Sequence, residues 1–169
     1  MIRLKKIGHV LFRVADLERS KAFYRDILGF KIAEEDPKHG RDAFMTLGDD
    51  FHHLDIVQHP TPEGAARPTR DQIGLGHVAF QVASYEALGE AYRTLIDHGV
   101  PIDRAIDHVN QRSFYFSDPD GNRLEIYYEI PGSLERFADG RGDRDDVLPV
   151  SGPGEPLPAW LSEPWPPRQ

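Results

Sequence analysis

The chain writes one strand twice: "IGHVLFRV" at residues 7–14 returns as "LGHVAFQV" at residues 75–82. An internal repeat constrains a fold more tightly than composition does, because both copies must obey the same local rules and bury their apolar faces together. Alignment pairs Gly8 with Gly76, His9 with His77, Val10 with Val78, Phe12 with Phe80 and Val14 with Val82. Successive side chains of a strand point to opposite faces. Val10, Phe12 and Val14 therefore oppose His9, Leu11 and Arg13, while Val78, Phe80 and Val82 oppose His77, Ala79 and Gln81. The aliphatic face suits a covering helix. The histidine face predicts a concave cavity, and matched histidines in two copies point to a shared ligand site.

The repeat continues as pattern. Asp16 is placed to cap a helix over "LERSKAFYRDIL", with Leu17, Phe23, Tyr24, Ile27 and Leu28 as its apolar stripe and Gly29 just past its end. Ser84 is placed to cap "YEALGEAYRTLIDH", which Gly99 ends and Pro101 cannot continue. Strands are predicted at 30–35, 43–48 and 53–59 after the first helix, and at 101–106, 112–117 and 123–130 after the second. "DPDGN" forms the last turn. Each module reads β-α-β-β-β, over about 5–59 and 73–130, joined by the Pro- and Gly-rich "HPTPEGAARPTRDQ". Residues 131–169 hold most of the 14 prolines and both tryptophans, Trp160 and Trp165. They read as an extended arm docked on its own body or on a neighbouring subunit, since large aromatics signal surface to bury.

Composition narrows the partners. Twenty Lys and Arg against 28 Asp and Glu give a formal charge of −8, with no basic block to meet a nucleic acid or an anionic membrane. The absence of cysteine removes disulfides and thiolate metal sites. No apolar stretch approaches the ~20 residues that span a bilayer. The apolar run at the start is broken by Arg13 and Asp16 before it could act as a signal segment. The expectation is a soluble, cytoplasmic protein acting on a small molecule.

In "NRLEIYY", Glu125 lies between Leu124 and Ile126 and shares a strand face with Arg123 and Tyr127. His9, His77 and Glu125 together would form the two-histidine, one-carboxylate set that leaves metal positions open, as in non-haem Fe(II) oxygenases. Spacing alone leaves the choice of metal open. Asp55 is the repeat counterpart of Glu125, since "HLDIV" aligns with "RLEIY".

Over about residues 5–130 the chain resembles the vicinal-oxygen-chelate superfamily of glyoxalases, epimerases, resistance proteins and extradiol dioxygenases. The helix motif "SKAFYRDILGFKI" contributes to the resemblance. More specific is "IDHVNQRSFYFSDPDGNRLE", which is similar to the extradiol signature at His108, Phe114–Tyr115, Asp118–Pro119, Gly121 and Glu125. The resemblance implies an α+β domain over 1–130, its tandem modules forming a cupped mixed sheet around a metal site, with the arm at 131–169. It implies an Fe(II)-dependent dioxygenase that cleaves a catechol ring with O2, using His9, His77 and Glu125 as ligands, with Mn or another divalent ion as the alternative metal. This fold often dimerises, so a homo-oligomer is expected.

The same resemblance gives His53 an acid–base role, Tyr115 a hydrogen bond to a catechol oxygen, and His108 the positioning of substrate and protons. His53 is preferred to His52 and His59 because strand alternation puts it on the face of Asp55. His52 then reads as its solvated neighbour, and His39 and His98 as surface residues. Two alternatives share the fold. Asp55, as a fourth ligand, would favour a metal-dependent lyase or isomerase of the glyoxalase or epimerase type. A drug-sequestering resistance protein without turnover needs no such ligand set.

Overall fold

A computed structural model describes residues 1–142 and 144–166. The chain divides into two compact units, residues 1–69 with 118–122, and residues 70–117 with 123–169.

The first unit holds a four-stranded mixed sheet and one helix. Its strands are β1 (Val10–Val14), β2 (Lys31–Glu35), β3 (Asp42–Thr46) and β4 (Leu54–Gln58), in the order β1-β4-β3-β2, with β1 parallel to β4. Helix α1 (Leu17–Ala22) starts where expected, because Asp16 is extended and its carboxylate accepts the Arg19 N–H at 3.0 Å. The expected single helix widens into a π-turn over Phe23–Ile27, closed by the Leu28 N–H on the Phe23 carbonyl. Phe23 and Tyr24, adjacent in sequence, are both buried there with their rings edge to face. Gly29, at φ 77°, takes the left-handed conformation that ends the helix. The core gathers Phe12, Val14, Leu17, Tyr24, Met45 and Ile56, while Leu11 on the opposite face of β1 is exposed.

The turn at 118–122 is held by its aspartates. Asp118 accepts the backbone N–H groups of Asp120 and Asn122, and the Tyr24 hydroxyl at 2.8 Å. Asp120, whose side chain is 2% exposed, accepts from Ala15 N–H, Ser20 Oγ and the Arg19 and Arg67 guanidiniums.

The second unit repeats the plan. Strands β5 (Val78–Gln81), β6 (Arg104–Asp107), β7 (Gln111–Ser117) and β8 (Arg123–Glu129) pair in the order β5-β8-β7-β6, with β5 parallel to β8. Helix α2 (Tyr85–Asp97) is capped by Ser84 and buries Leu88, Tyr92, Leu95 and Ile96. Phe114 on β7 meets Tyr92 edge to face at 5.2 Å. A short helix α3 (Ser133–Arg136) follows β8, and a ninth strand, β9 (Asp146–Leu148), pairs antiparallel with β6 and extends the sheet to five strands. The architecture is α+β, with two mixed sheets.

The chain beyond β9 packs on α2 and β7. Trp160 is buried, with its indole N–H on the Pro149 carbonyl and its ring edge-on to Tyr92. The Trp165 indole N–H donates to Asp107. Buried Arg112 donates to that same carboxylate and to the Tyr85 hydroxyl, with its guanidinium carbon 5.2 Å from the Trp165 ring centre. A buried guanidinium is tolerable because it is paired and lies against aromatic rings. Among the described residues no helix is long and apolar enough to cross a membrane.

Asp120 generates a stability prediction. Burial alone would raise its pKa, but the Ala15 N–H, Arg67, Ser20 and Arg19 outweigh burial and hold the carboxyl below its ordinary value of 3.8. A carboxyl depressed by folding contributes stability above its unfolded pKa, and loses it as pH falls through the folded value. Asp120→Asn should therefore cost about 2–3 kcal/mol at neutral pH and flatten part of the loss of stability below about pH 4. Urea unfolding of both proteins across the acid range reads this; parallel acid limbs would refute it.

Candidate functional site

Each unit places one histidine beside one carboxylate, by the same register. In the first unit, β1 runs beside β4 with Leu11 opposite Asp55. His9 stands two residues before Leu11, and its Nε2 lies 3.5 Å from Asp55 Oδ2. In the second unit, β5 runs beside β8 with Ala79 opposite Glu125. His77 stands two residues before Ala79, and its Nε2 lies 2.9 Å from Glu125 Oε2. Both carboxylates are buried, and both histidines are partly open to solvent.

The first unit adds a residue that alternation did not select. His52 Nε2 lies 3.6 Å from Asp55 Oδ1, and its ring centre is 4.5 Å from that of His9. Phe44 and Phe51 meet the His52 ring edge to face. His52 is thus a neighbour of Asp55, not a solvated bystander. The reason is local: β4 begins only at Leu54, so residues 52 and 53 lie on turn backbone, where alternation does not apply. His53 faces its own turn. Its Nδ1 accepts the Leu47 N–H at 3.2 Å, and its Nε2 lies 3.7 Å from Asp50.

These donors suit a cation. His9, His52 and Asp55 offer ligand atoms within 4.8 Å of one another. Asp55 Oδ1 and His52 Nδ1 are buried without a hydrogen-bond partner among the described residues, and an orphaned buried carboxylate oxygen is costly unless a cation or water satisfies it. Imidazole nitrogen with carboxylate oxygen is a donor set for Zn, Fe, Mn or Ni, so the set does not choose among them.

Around His77 and Glu125 the second unit builds a polar group. Tyr115 lies opposite Glu125 on the neighbouring strand, and its ring meets His77 edge to face at 5.6 Å. The Arg104 guanidinium sits 4.2 Å over the other part of this pair, the Tyr115 ring. Gln111 Nε2 reaches Glu125 Oε1 at 3.4 Å. Burial pushes the Tyr115 hydroxyl up, with the negative charge of Glu125 adding to it and the Ser113 hydrogen bond and Arg104 opposing. Tyr115 is therefore an O–H donor at neutral pH. Its hydroxyl lies 3.2 Å from His108 Nε2, and His108 Nδ1 lies 2.7 Å from Asp145. Of the expected residues, His9 thus falls in the first unit with His53, and His77, Glu125, His108 and Tyr115 fall together in the second.

Residues 6–126 match the model of the Glyoxalase/Bleomycin resistance protein/Dioxygenase superfamily. The chain belongs to that superfamily. Within it, the chain is 34% identical over 127 residues to a catechol-2,3-dioxygenase of Bacillus subtilis, covering 75% of this chain but only 42% of that relative. It is 32% identical over 126 residues to a metallothiol transferase FosB of Staphylococcus saprophyticus, covering 73% of this chain and 77% of that one. A glyoxalase/dioxygenase crystal structure from Nostoc punctiforme superposes with a TM-score of 0.63 at 24% identity, over 75% of this chain and 92% of that one, so the two share a fold.

Zinc titration of the full chain tests the first-unit cluster. Were Asp55 a ligand beside His9 and His52, their ring signals would move together and Asp55→Ala would weaken the binding at least ~10-fold, since a charged ligand is lost, which is the outcome the lyase or isomerase alternative requires. Signals that stay fixed in excess zinc would dismiss this cluster as a metal site.

Proposed function

We propose that the protein is an Fe(II)-dependent extradiol dioxygenase that cleaves the ring of a small catechol with O2, with His9, His77 and Glu125 as metal ligands. The observation that carries this reading is the hydrogen-bond contact of Tyr115 with His108, on the same sheet in which Tyr115 lies opposite Glu125 and Glu125 contacts His77. A simple metal-binding module has no need of a tyrosine and a second histidine there. The repeat supplies the ligand assignment, because His9 and His77 are the same residue of two copies. The named activity of the Bacillus subtilis relative supports the same chemistry.

His9, His77 and Glu125 would hold the ferrous ion, which would supply Lewis-acid and redox activation of the catechol and O2. The rest falls to the chain. His77 and Glu125 already share a close contact, of the kind a cation replaces when it displaces a proton. Tyr115, kept protonated, donates to a catechol oxygen and orients the ring. His108 accepts the proton that a catechol hydroxyl releases on binding. His53 accepts the Leu47 N–H at Nδ1, so as a neutral ring it carries its proton on Nε2 and acts as a donor toward oxygen.

One observation favours a second reading. Asp55 lies beside His9 as Glu125 lies beside His77, and a second carboxylate ligand would suit a lyase or isomerase of the glyoxalase or epimerase type, which abstracts a proton and consumes no O2.

Oxygen uptake and iron content, measured side by side on anaerobically reconstituted protein with a series of monocyclic catechols, decide between them. His77→Ala should lose iron and uptake together. His53→Phe should keep its iron and lose ring cleavage by ~10²–10⁴, the usual contribution of a positioned acid–base group. Tyr115→Phe should lose less, partly as a raised KM. Iron-loaded protein that consumes no O2 with any catechol, yet loses metal on Asp55→Ala, would transfer the assignment to the second reading.

A further inference from the structure

The segment after the superfamily match brings one carboxylate to His108. Strand β9 pairs with β6 so that Asp146 lies opposite Asp107. In an antiparallel pair the next residues on each strand, Asp145 and His108, are then directed to each other by register. Asp145 Oδ1 sits 2.7 Å from His108 Nδ1. Arg141 fixes both ends of this contact, with one guanidinium nitrogen 2.9 Å from the same Asp145 oxygen and 3.0 Å from the His108 carbonyl. Next in the chain, Val109 has φ 74°, a left-handed conformation unfavourable for a β-branched residue, and its N–H is held by Asp107. Strain of this kind persists where surrounding contacts over-determine the backbone, and it clusters at functional sites.

A neutral imidazole has one donor and one acceptor nitrogen, and a carboxylate only accepts. The Asp145 contact therefore demands the proton on Nδ1, which leaves a lone pair on Nε2. That nitrogen is the one 3.2 Å from the Tyr115 hydroxyl. His108 and Arg141 also hold the acid in its charged form, since their hydrogen bonds keep the Asp145 carboxyl below the usual range. The Asp145 side chain is 45% exposed, so the pair contributes little to stability. What it fixes is direction.

We propose that Asp145 is a positioning residue that sets His108 as the Nδ1–H tautomer, with Nε2 presented to Tyr115 and to a bound catechol hydroxyl. In the reaction the catechol O–H breaks, its electron pair stays on oxygen, and the proton goes to Nε2. The imidazolium so formed keeps its Nδ1–H on the Asp145 carboxylate, which compensates the new charge. The catalytic part of this role rests on the ring-cleavage reading. The tautomer does not.

The experiment joins two readouts on the full chain. Ring nitrogen signals of His108, assigned by their loss in His108→Phe, should show a protonated Nδ1 and a bare Nε2 in the zinc-loaded wild type. In Asp145→Ala the balance should move to the Nε2–H form, and Asp145→Glu should restore the wild-type pattern. With iron and catechol, Asp145→Ala should lower kcat ~10–100-fold with KM nearly unchanged, less than a fully buried orienting carboxylate would cost, and Asp145→Glu should recover part of it. An unaltered His108 tautomer in Asp145→Ala overturns the proposal, as does an unaltered kcat. If the wild type cleaves no catechol, the ring-cleavage reading falls, and the tautomer comparison alone upholds or overturns Asp145.

Discussion

Each module depends on its first strand lying parallel to its last. Parallel neighbours cannot be joined by a tight turn, so the chain must leave through a helix and return through two further strands before the pair can close. That single pairing joins β1 to β4, on which α1 packs, and β5 to β8, on which α2 packs. It also sets each histidine beside a carboxylate, through Leu11 with Asp55 and Ala79 with Glu125. A slip of one residue would turn the carboxylate to the opposite face of the sheet. Core and candidate site are therefore specified by one register.

Much of this was legible in the sequence because it is periodic or capped. The helix caps Asp16 and Ser84, the element order β-α-β-β-β, and the place of Asp55 as counterpart of Glu125 all follow from local pattern. The π-turn at Phe23 escaped because a period of 3.6 residues and a wider turn bury nearly the same side chains over five residues. His52 escaped because alternation was carried back past Leu54, onto backbone that is not strand. Asp145 escaped for a different reason. It lies in the charge cluster "DGRGDRDD", where no local pattern singles out one acid, and only the long-range register of β9 on β6 brings it to His108.

The signature "DPDGN" divides its residues between structure and chemistry unevenly. Asp118 and Asp120 are occupied with their own turn, with Tyr24, and with the start of α1. A chain keeps them to fold, whatever it catalyses. On the reading proposed above, the chemistry is carried by other positions: Tyr115, His108 and the acids Asp55 and Glu125. Relatives named as a catechol-2,3-dioxygenase and as a metallothiol transferase match this chain at similar identity.

Strand β9 changes what the second sheet offers to other chains. Without it, β6 would be an outer strand with an unpaired row of backbone donors and acceptors, the template on which a foreign strand can add. With it, the outer strand is three residues long, carries Asp146 and ends against Pro149. The first sheet reaches the same protection by other means, since outer strand β2 has an irregular register between Ile32 and Glu34 and exposes Lys31, Glu34 and Glu35. Two copies of one module have thus become different at one rim each: β2 carries charge and an irregular register, while β6 is covered by a short added strand.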